Sequence, residues 1–252
     1  MTNIILSGCN GKMGQVIARL LSGDDSAKVI FGYDINTEMK NSFPVYSDFS
    51  ETELKGDVVI DFSHPNSFSS VVNYCRSTKT ALVMATTGLS DEQKEELTAL
   101  SKEVPVFFSA NMSIGVNLLA DLVKKAAAIL GEAFDIEIIE KHHNQKIDAP
   151  SGTALMIADE IASVTEYSPE YVYDRHSVRK KRSPKEIGIH AVRGGTIVGE
   201  HDVIFAGNDE IIEIKHTATS KEIFATGSIR AAKFIQNAKP GMYNMTNLIQ
   251  GE

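Results

Sequence analysis

The sequence predicts an α/β protein in which a parallel-sheet domain is joined to an α+β domain with a mixed, largely antiparallel sheet. Through about residue 110, short apolar runs alternate with helical periodicity, which is typical of a parallel sheet. From residue 134 onward strand patterns follow one another with a single early helix, which favours antiparallel pairing. A length of 252 residues fits one large or two modest domains.

The chain begins with an apolar strand at residues 3–7, and glycines at positions 8, 11 and 14 lead into a helical pattern. The next apolar run, residues 29–33, ends at Asp34, twenty residues beyond Gly14. A Rossmann fold places the acid that holds the adenosine ribose at this distance. The glycine spacing departs from G-x-G-x-x-G, so the prediction of a nucleotide site rests on the order of strand, glycine loop, helix, strand and acid. The alternative is that these glycines only make a tight turn.

The alternation continues with strands at 58–62, 81–86 and 106–110 and helices at 65–77 and 90–102. Ser90 and Gln93 are spaced as a capping box for the second of these helices. Polar turns at 61–63, 85–88 and 109–112 would all lie at carboxyl ends of strands, where open α/β sheets bind ligands. Each turn taken alone is equally consistent with ordinary loop chemistry.

A long helical pattern over residues 115–130 leads into the second half. Strands are expected at 136–139, 187–192, 196–205 and 211–216, helices at 151–164 and 221–238. The last helix could pack back on the first domain. Residues 166–186 are irregular and carry the basic run 179–182, for which a solvated loop is favoured over recruitment of an anionic partner.

The segment from Glu140 to Ala154 carries most of the chemistry. It follows a strand and ends in Ser151-Gly152-Thr153, which is expected to open a helix with Ser151 as its cap. The unpaired backbone N–H groups at such a helix start favour carboxylate or phosphate. The segment therefore predicts a site for an anionic small molecule.

The same segment supplies proton-transfer groups. His142 and His143 are adjacent and would point to opposite faces of a continuing strand, so one of them would face a ligand closely. Lys146 offers a cation that its surroundings can tune into a proton donor. The alternative is that both histidines satisfy loop hydrogen bonds and Lys146 pairs with Asp148.

Composition excludes several classes of function. A formal charge of −8 and a pI near 5.4 argue against a nucleic-acid-binding protein, and no apolar run reaches the roughly 18 residues of a membrane span. The chain enters a strand at once, so no leader is expected and a cytoplasmic location is the default. Cys9 and Cys75 are expected to be buried, and no metal-ligand spacing is present.

A nucleotide-binding fold beside an acid–base pair favours hydride transfer, since no Walker lysine motif for phosphoryl transfer is present. Two alternatives remain. One is another two-domain dehydrogenase acting on an amino-acid-derived aldehyde or imine, and the other is a non-catalytic NAD-dependent regulator.

The motif His-His-x-x-Lys-x-Asp-Ala-Pro-Ser-Gly-Thr is highly specific. Other matching segments are the glycine loop 8–14, Thr86-Thr87-Gly88, Ala110-Asn111, Gly115-Val116-Asn117, Arg193-Gly194-Gly195 and the helix after Ser220. On these residues essentially the whole chain resembles the dihydrodipicolinate (4-hydroxy-tetrahydrodipicolinate) reductase family of the bacterial diaminopimelate and lysine pathway.

The resemblance implies a homotetramer whose Rossmann domain, residues 1–113 and 226–252, binds NADH or NADPH. Residues 114–225 would bind the cyclic dicarboxylate substrate and form the subunit contacts. In the family, hydride is delivered to C4 of the substrate ring with loss of the 4-hydroxyl as water, and tetrahydrodipicolinate is the product.

The resemblance also implies roles for individual residues. His142 would be the general acid or base and Lys146 the proton donor. The substrate carboxylates would be held by His143, Gly152 and Thr153. The cofactor site would comprise Gly8, Cys9, Asn10, Gly11, Lys12, Met13, Asp34, Ala85, Thr86, Thr87, Ser109, Ala110, Asn111 and Met112.

Departures from the family pattern bear on the cofactor. Ala85 stands where glycine is more common, and Cys9 and Lys12 replace alanine and arginine. Asp34 should bind a ribose 2′-hydroxyl and repel a 2′-phosphate, while Lys12 could offset that repulsion. We therefore expect use of either cofactor with a modest preference for NADH.

Overall fold

The computed structural model describes residues 1–251 and divides into two compact units. Of the described residues, the first unit comprises 1–114 and 222–251, and the second comprises 115–221. Each unit has a sheet and a hydrophobic core of its own.

The first unit is a seven-stranded sheet with helices between the strands. Its elements are β1 (Thr2–Ser7), α1 (Lys12–Leu21), β2 (Ala27–Tyr33), β3 (Val45–Tyr46), β4 (Val58–Asp61), α2 (Phe68–Thr78), β5 (Ala81–Met84), α3 (Asp91–Leu100) and β6 (Pro105–Phe108). The second unit follows, with α4 (Ile114–Leu130), β7 (Asp135–His142), α5 (Gly152–Ala162), β8 (Glu170–Val172), β9 (Glu186–Arg193), β10 (Gly199–Ala206) and β11 (Ile211–Ala218). The chain returns to the first unit with α6 (Glu222–Ile235), β12 (Gly241–Tyr243) and α7 (Met245–Gln250).

The first sheet has the strand order β12-β6-β5-β4-β1-β2-β3, and every pairing in it is parallel. Both faces are covered, because Ile4 and Leu6 of β1 lie in one core cluster and Ile5 lies in the other. A parallel strand that is apolar on both faces needs helices on both sides. The predicted Rossmann-type sheet is confirmed.

The predicted capping box of α3 is present. Ser90 accepts a hydrogen bond from the Gln93 amide, and the Gln93 side chain accepts one from the Ser90 amide at 2.9 Å. The helix ends at Leu100, two residues before the predicted end.

The second sheet has the order β11-β10-β7-β9-β8. β10 runs antiparallel to β7 and β11, whereas β9 runs parallel to β7 and β8. The sheet is mixed, as predicted, with two pairings of each kind. The parallel pairing of β7 with β9 is made possible by α5, which lies between these two strands in the sequence and so allows a crossover connection.

Burial along β7 alternates. Its even-numbered residues, Ile136, Ile138, Glu140 and His142, are buried, and the first two pack in a core with residues of α4 and α5. The odd-numbered residues are less buried and face the other side of the sheet. Glu140 and His142, the two polar residues on this buried face, must find hydrogen-bond partners inside the unit. The candidate site is therefore expected at this end of β7.

The basic run differs from the solvated loop predicted for it. Arg182 is 17% exposed and donates hydrogen bonds to Asp135, Glu137 and the carbonyl oxygens of Ile136, Ser183 and Glu186. The rest of the run is exposed. Burial of Arg182 is possible because two carboxylates and three carbonyl groups replace the water that it loses. The short strands β3, β8 and β12 and helix α7 were not predicted.

Candidate active site

Glu140 lies on the buried face of β7 and is fully buried. Its Oε2 is 2.6 Å from His142 Nδ1 and 2.7 Å from Arg193 Nη1. Its Oε1 is 2.7 Å from Arg193 Nη2 and accepts a hydrogen bond from the Ser151 amide at 3.0 Å. Burial alone would raise the pKa of Glu140, but Arg193, His142 and the Ser151 amide outweigh it and the pKa is lowered. The carboxylate is therefore ionised near neutral pH.

His142 is the last residue of β7 and is 9% exposed. Burial lowers the pKa of His142, and the opposing effect of Glu140 is smaller. Gly199 of β10 faces the ring, since a Cβ at that position would lie 3.1 Å from His142 Nε2. A glycine there leaves room for the imidazole.

His201 of β10 packs edge-on against His142, with the ring centroids 5.3 Å apart. It is 4% exposed, its Nε2 is 3.0 Å from Ser151 Oγ, and its Nδ1 is buried without a partner in residues 1–251. Burial, and then the neighbouring His142, lower the pKa of His201 to about 4. His201 is thus neutral near pH 7 and supports the residue that caps α5.

The amino end of α5 has the predicted form. Ser151 is the N-cap, and its Oγ accepts a hydrogen bond from the Ala154 amide at 3.1 Å. Gly152 is exposed and has open space where a Cβ would stand, whereas Thr153 is partly buried. An anion can approach the backbone closely at Gly152, on the positive end of the helix dipole.

Lys146 lies in the loop that joins β7 to α5. Its Nζ is 2.9 Å from Asp148 Oδ1, so the ion pair of the alternative interpretation is present. Lys146 is 22% exposed and Asp148 is 59% exposed. The His142 imidazole, in contrast, bonds to Glu140 of the strand and not to the loop. His143 begins the loop, and its carbonyl accepts a hydrogen bond from the Lys146 amide.

Residues at the end of β9 and directly after it hold the loop between β7 and α5 in place through hydrogen bonds. The Gly194 amide donates to the His142 carbonyl at 2.9 Å, and the Asn144 amide donates to the Gly195 carbonyl at 3.2 Å. Arg193 Nη2 also donates to the Asp148 carbonyl at 2.6 Å. The same guanidinium therefore holds both Glu140 and the loop.

Together these groups suit an anionic ligand that exchanges a proton. They combine an imidazole oriented by a carboxylate, an ammonium group and an open helix start within one segment. Arg193 and His201 were not among the predicted site residues. For Arg193, the neighbouring Gly194-Gly195 sequence was the only indication of a functional site. For His201, the sequence gave no indication beyond the residue type.

The glycine loop of the first unit is closely packed. Gly8 has φ +75°, and a Cβ there would lie 2.5 Å from the carbonyl oxygen of Phe62. A Cβ on Gly14 would overlap the carbonyl oxygen of Gly8. At Gly11, which caps α1, a Cβ would lie 3.2 Å from that same oxygen. Gly8 and Gly14 are therefore required by the fold of the loop, whereas Gly11 is less constrained.

A cavity of 350 Å³ lies beside this loop. Four of the predicted cofactor residues line it, namely Gly8, Asn10, Gly11 and Asp34. The Asp34 carboxylate is held by the amides of Asn10 and Asn36, each at 2.9 Å. A carboxylate fixed in this way can accept further hydrogen bonds from a ribose.

Cys9 does not line the cavity. It is fully buried, and its Sγ occupies the space where a Cβ on Gly32 would stand. Burial and then the nearby charge of Asp34 raise the pKa of the Cys9 thiol to about 12, so the thiol is unreactive near neutral pH. Lys12 and Met13 open α1, the first exposed and the second partly buried.

The remaining predicted cofactor residues follow β5 and β6. Thr87 and Ala110 are exposed, Ser109 and Asn111 are partly buried, and Ala85, Thr86 and Met112 are buried. Thr86 Oγ1 donates to Asp61 Oδ2 at 2.6 Å, and Ser63 Oγ donates to Asp61 Oδ1 at 2.6 Å. Buried Asp61, which was not predicted as a site residue, thereby links the turn after β4 to the turn after β5.

Among residues 1–251 no helix is long and apolar enough to cross a membrane. No group of three or more His, Cys, Asp or Glu side chains in the same residues is arranged to hold a metal ion.

Comparisons with known proteins identify the family of this chain. The family model for the amino-terminal part of dihydrodipicolinate reductase matches residues 2–112, and the model for its carboxyl-terminal part matches residues 115–249. The 4-hydroxy-tetrahydrodipicolinate reductase of Caldanaerobacter subterraneus subsp. tengcongensis is 54% identical and covers 99% of each chain. That of Clostridium tetani is 49% identical over 97% of this chain and 96% of its own.

Solved structures show the same fold. The dipicolinate-bound dihydrodipicolinate reductase from Paenisporosarcina sp. TG-14 has a TM-score of 0.79 at 24% identity and covers 97% of both chains. The C. glutamicum DAP dehydrogenase in complex with DAP has a TM-score of 0.58 at 11% identity, covering 100% of this chain and 96% of its own. With both family models matched in order and full-length relatives near half identity, this chain belongs to the dihydrodipicolinate reductase family.

Proposed function

We propose that this chain catalyses the NAD(P)H-dependent reduction of 4-hydroxy-2,3,4,5-tetrahydrodipicolinate to 2,3,4,5-tetrahydrodipicolinate, with loss of water, in lysine biosynthesis through diaminopimelate. The observation that carries the proposal is the buried Glu140–His142 pair at the end of β7, with Lys146 and the start of α5 in the same segment. The family name and the 54% identical relative point to the same reaction.

The second unit would bind the substrate dianion. Gly152 and Thr153 at the start of α5, together with His143, would hold its carboxylates, because the helix start offers positive potential. Lys146 would donate the proton that the reaction requires, and His142 would act as general acid or base. Dipicolinate, a planar cyclic dicarboxylate bound by the family member from Paenisporosarcina, is expected to bind here as an inhibitor.

The first unit would bind the cofactor, which supplies hydride when bound. The glycine loop suits a dinucleotide, because Gly8 and Gly14 leave no space for side chains and the loop leads directly into α1. Asp34, oriented by two amides, would bind the 2′-hydroxyl of NADH, so a modest preference for NADH over NADPH is expected. Lys12, exposed at the start of α1, would temper that preference.

The chain is expected to act as a cytoplasmic homotetramer, with subunit contacts formed by the second unit. The family resemblance supports this assembly. Exposed apolar residues on that unit, among them Val192 of β9 and Ile211 of β11, are consistent with burial in an oligomer. Light scattering at micromolar concentration would give the mass of the assembly.

The deciding experiment measures loss of NADH and NADPH absorbance with substrate made in place from pyruvate and aspartate semialdehyde by the preceding synthase. Oxidation that depends on the synthase establishes the reductase and ranks the two cofactors. Oxidation with an acyclic aldehyde or imine instead would favour another dehydrogenase. Binding of both cofactors without oxidation would favour a non-catalytic regulator.

A further inference from the structure

Glu140 has no assigned role, yet four contacts converge on its carboxylate. Its two oxygens bond to the His142 ring, to both terminal nitrogens of Arg193 and to the Ser151 amide. These partners belong to the end of β7, to the end of β9 and to the cap of α5. A fully buried carboxylate thus connects the groups that would transfer a proton and bind an anion.

The contact with His142 fixes the position of the ring proton. An ionised carboxylate can only accept hydrogen bonds, so the His142 nitrogen that faces Glu140 must carry hydrogen. That nitrogen is Nδ1, at 2.6 Å. In the neutral ring the lone pair therefore lies on Nε2, on the opposite side of the imidazole.

The titratable groups named around His142 carry one negative and two positive charges. Arg193 binds Glu140 through two nitrogens and neutralises its charge where it is buried. Lys146 adds a further positive charge near the ring, and neutral His201 packs against its edge. Glu140 is the single negative group among the four titratable neighbours named here, so its removal must disfavour the imidazolium.

We infer that Glu140 is the positioning residue of this site: it holds His142 as the Nδ1–H tautomer, so that Nε2 is the atom that takes up or releases the proton. The inference rests on the proposed catalytic role of His142. In the step, one proton moves between Nε2 and its partner while the Nδ1–H···Glu140 bond persists, and Glu140 itself gains no proton. The same carboxylate fixes the Ser151 amide, so the proton-transfer atom and the start of α5 keep a constant spacing.

The test compares Glu140→Gln with the unaltered protein over a range of pH. Loss of the negative charge lowers the pKa of His142, so the limb of the kcat profile that reports His142 moves to lower pH. The direction is the same whether His142 acts as acid or base. We expect kcat to fall by at least about 10-fold, because ring orientation is part of acid–base catalysis, while the KM for NADH stays unchanged.

Glu137→Gln is the matched control. Glu137 lies on the other face of the same strand and also contacts a histidine, His190 at 2.7 Å, and an arginine, Arg182 at 3.0 Å. Its loss removes an equivalent carboxylate without touching His142, so the pH limb should remain in place. A limb that stays in place in Glu140→Gln as well would overturn the inference.

A second measurement needs no variant of Glu140 and no turnover. Long-range ¹H–¹⁵N NMR of the unaltered protein, with the His142 signals assigned through His142→Gln, shows which ring nitrogen carries hydrogen. Hydrogen on Nδ1 supports the inference, and a neutral ring with hydrogen on Nε2 overturns it even if Glu140→Gln fails to fold. Absence of synthase-dependent NADH oxidation by the unaltered protein would instead refute the proposed function, so the two failures are distinct.

Discussion

Lys146 Nζ lies 2.9 Å from Asp148 Oδ1, within the loop that carries the proposed proton donor. Lys146 and the Gly152 amide both contribute to a lowered pKa for the Asp148 carboxyl, Lys146 more strongly. The Asp148 carboxylate therefore already pairs with the ammonium group that is proposed to serve the substrate. A ligand carboxylate has to compete with it.

Asp148→Asn should therefore strengthen binding of dipicolinate. Exposed ion pairs contribute about 0.2–1 kcal/mol, so the expected gain in affinity is about 1.4- to 5-fold. Calorimetry or competition kinetics would measure it. Asp121→Asn is the control, since it makes the same charge change in the Lys125 ion pair of α4. Weaker binding by Asp148→Asn would mean that Asp148 supports the site and does not compete for it.

Gly14→Ala should destabilise the protein, because the added methyl group would overlap the Gly8 carbonyl oxygen. Overpacking of this kind costs about 1–3 kcal/mol, and NADH affinity should fall as the loop moves. Gly11→Ala is the matched control, with an expected cost below about 1 kcal/mol at a cap position. Chemical unfolding of both variants and NADH titration of Gly14→Ala would check these expectations, and equal losses of stability in the two variants would contradict them.

Arg182→Ala should lower the free energy of unfolding by about 2–3 kcal/mol. It removes the guanidinium that donates to the carbonyl groups of the buried residues Ile136 and Glu186 and that pairs with Asp135 and Glu137. Lys181→Ala, at an exposed neighbouring position, should change it by less than about 0.5 kcal/mol. Urea unfolding at neutral pH measures both. If the two variants are equally stable, the Arg182 network is not a source of stability.

The structure also predicts acid sensitivity through His201. Its pKa is lowered to about 4 by burial and then by His142, from an ordinary value of 6.5. As pH falls, His201 is therefore protonated in the unfolded chain before it is protonated in the folded one. The stability that its neutral form contributes above pH 6.5 is lost progressively down to about pH 4. The loss should approach about 3 kcal/mol.

His201→Gln should remove this part of the pH dependence, although it lowers stability at pH 7 by disrupting the Ser151 contact. His176→Gln, at an exposed histidine, should leave the dependence unchanged. Unfolding measured at pH 7, 5.5 and 4.5 would compare the three proteins. An unaltered acid slope in His201→Gln would assign the loss to other groups.

Asp34→Ser should shift cofactor use toward NADPH, since it removes the charge that would repel a 2′-phosphate while keeping a hydroxyl near the ribose. We expect the NADPH to NADH ratio of kcat/KM to rise by about 10-fold or more, equivalent to at least about 1.4 kcal/mol. Glu38→Gln is the control, because it removes a negative charge at an exposed position four residues after Asp34. A ratio that does not change would show that Asp34 has no part in cofactor choice.

The sequence allowed most of the first unit to be predicted because its strands are apolar on both faces and its helices have regular periodicity. Ile4, Ile5 and Leu6 are all fully buried, which is why residues 3–7 were recognisable as a strand. The two residues of β3 and the three of β12 have no such pattern. They become strands by pairing with the last two residues of β2 and with most of β6, and this depends on the completed sheet.

The candidate site likewise has a part that the sequence predicts and a part that it does not. The groups from His142 to Thr153 come from one continuous segment, so local spacing was enough to propose them. His201 and Arg193 reach the site only through sheet register, His201 opposite Glu140 in the β10–β7 pair and Arg193 opposite His142 in the β7–β9 pair. A strand pattern predicts that strands exist, but it does not predict which residues will be partners across them.

The position of β7 at the centre of the five-stranded sheet has a consequence for local opening. Its amides are paired on one side with β10 and on the other with β9, whereas β8 and β11 are edge strands. Backbone paired on both sides exchanges its amide hydrogens with solvent only through the largest openings of a domain. We therefore expect the amide hydrogens of β7 residues such as Glu140, which is paired with both neighbouring strands, to exchange more slowly than those of the loop from His143 to Pro150.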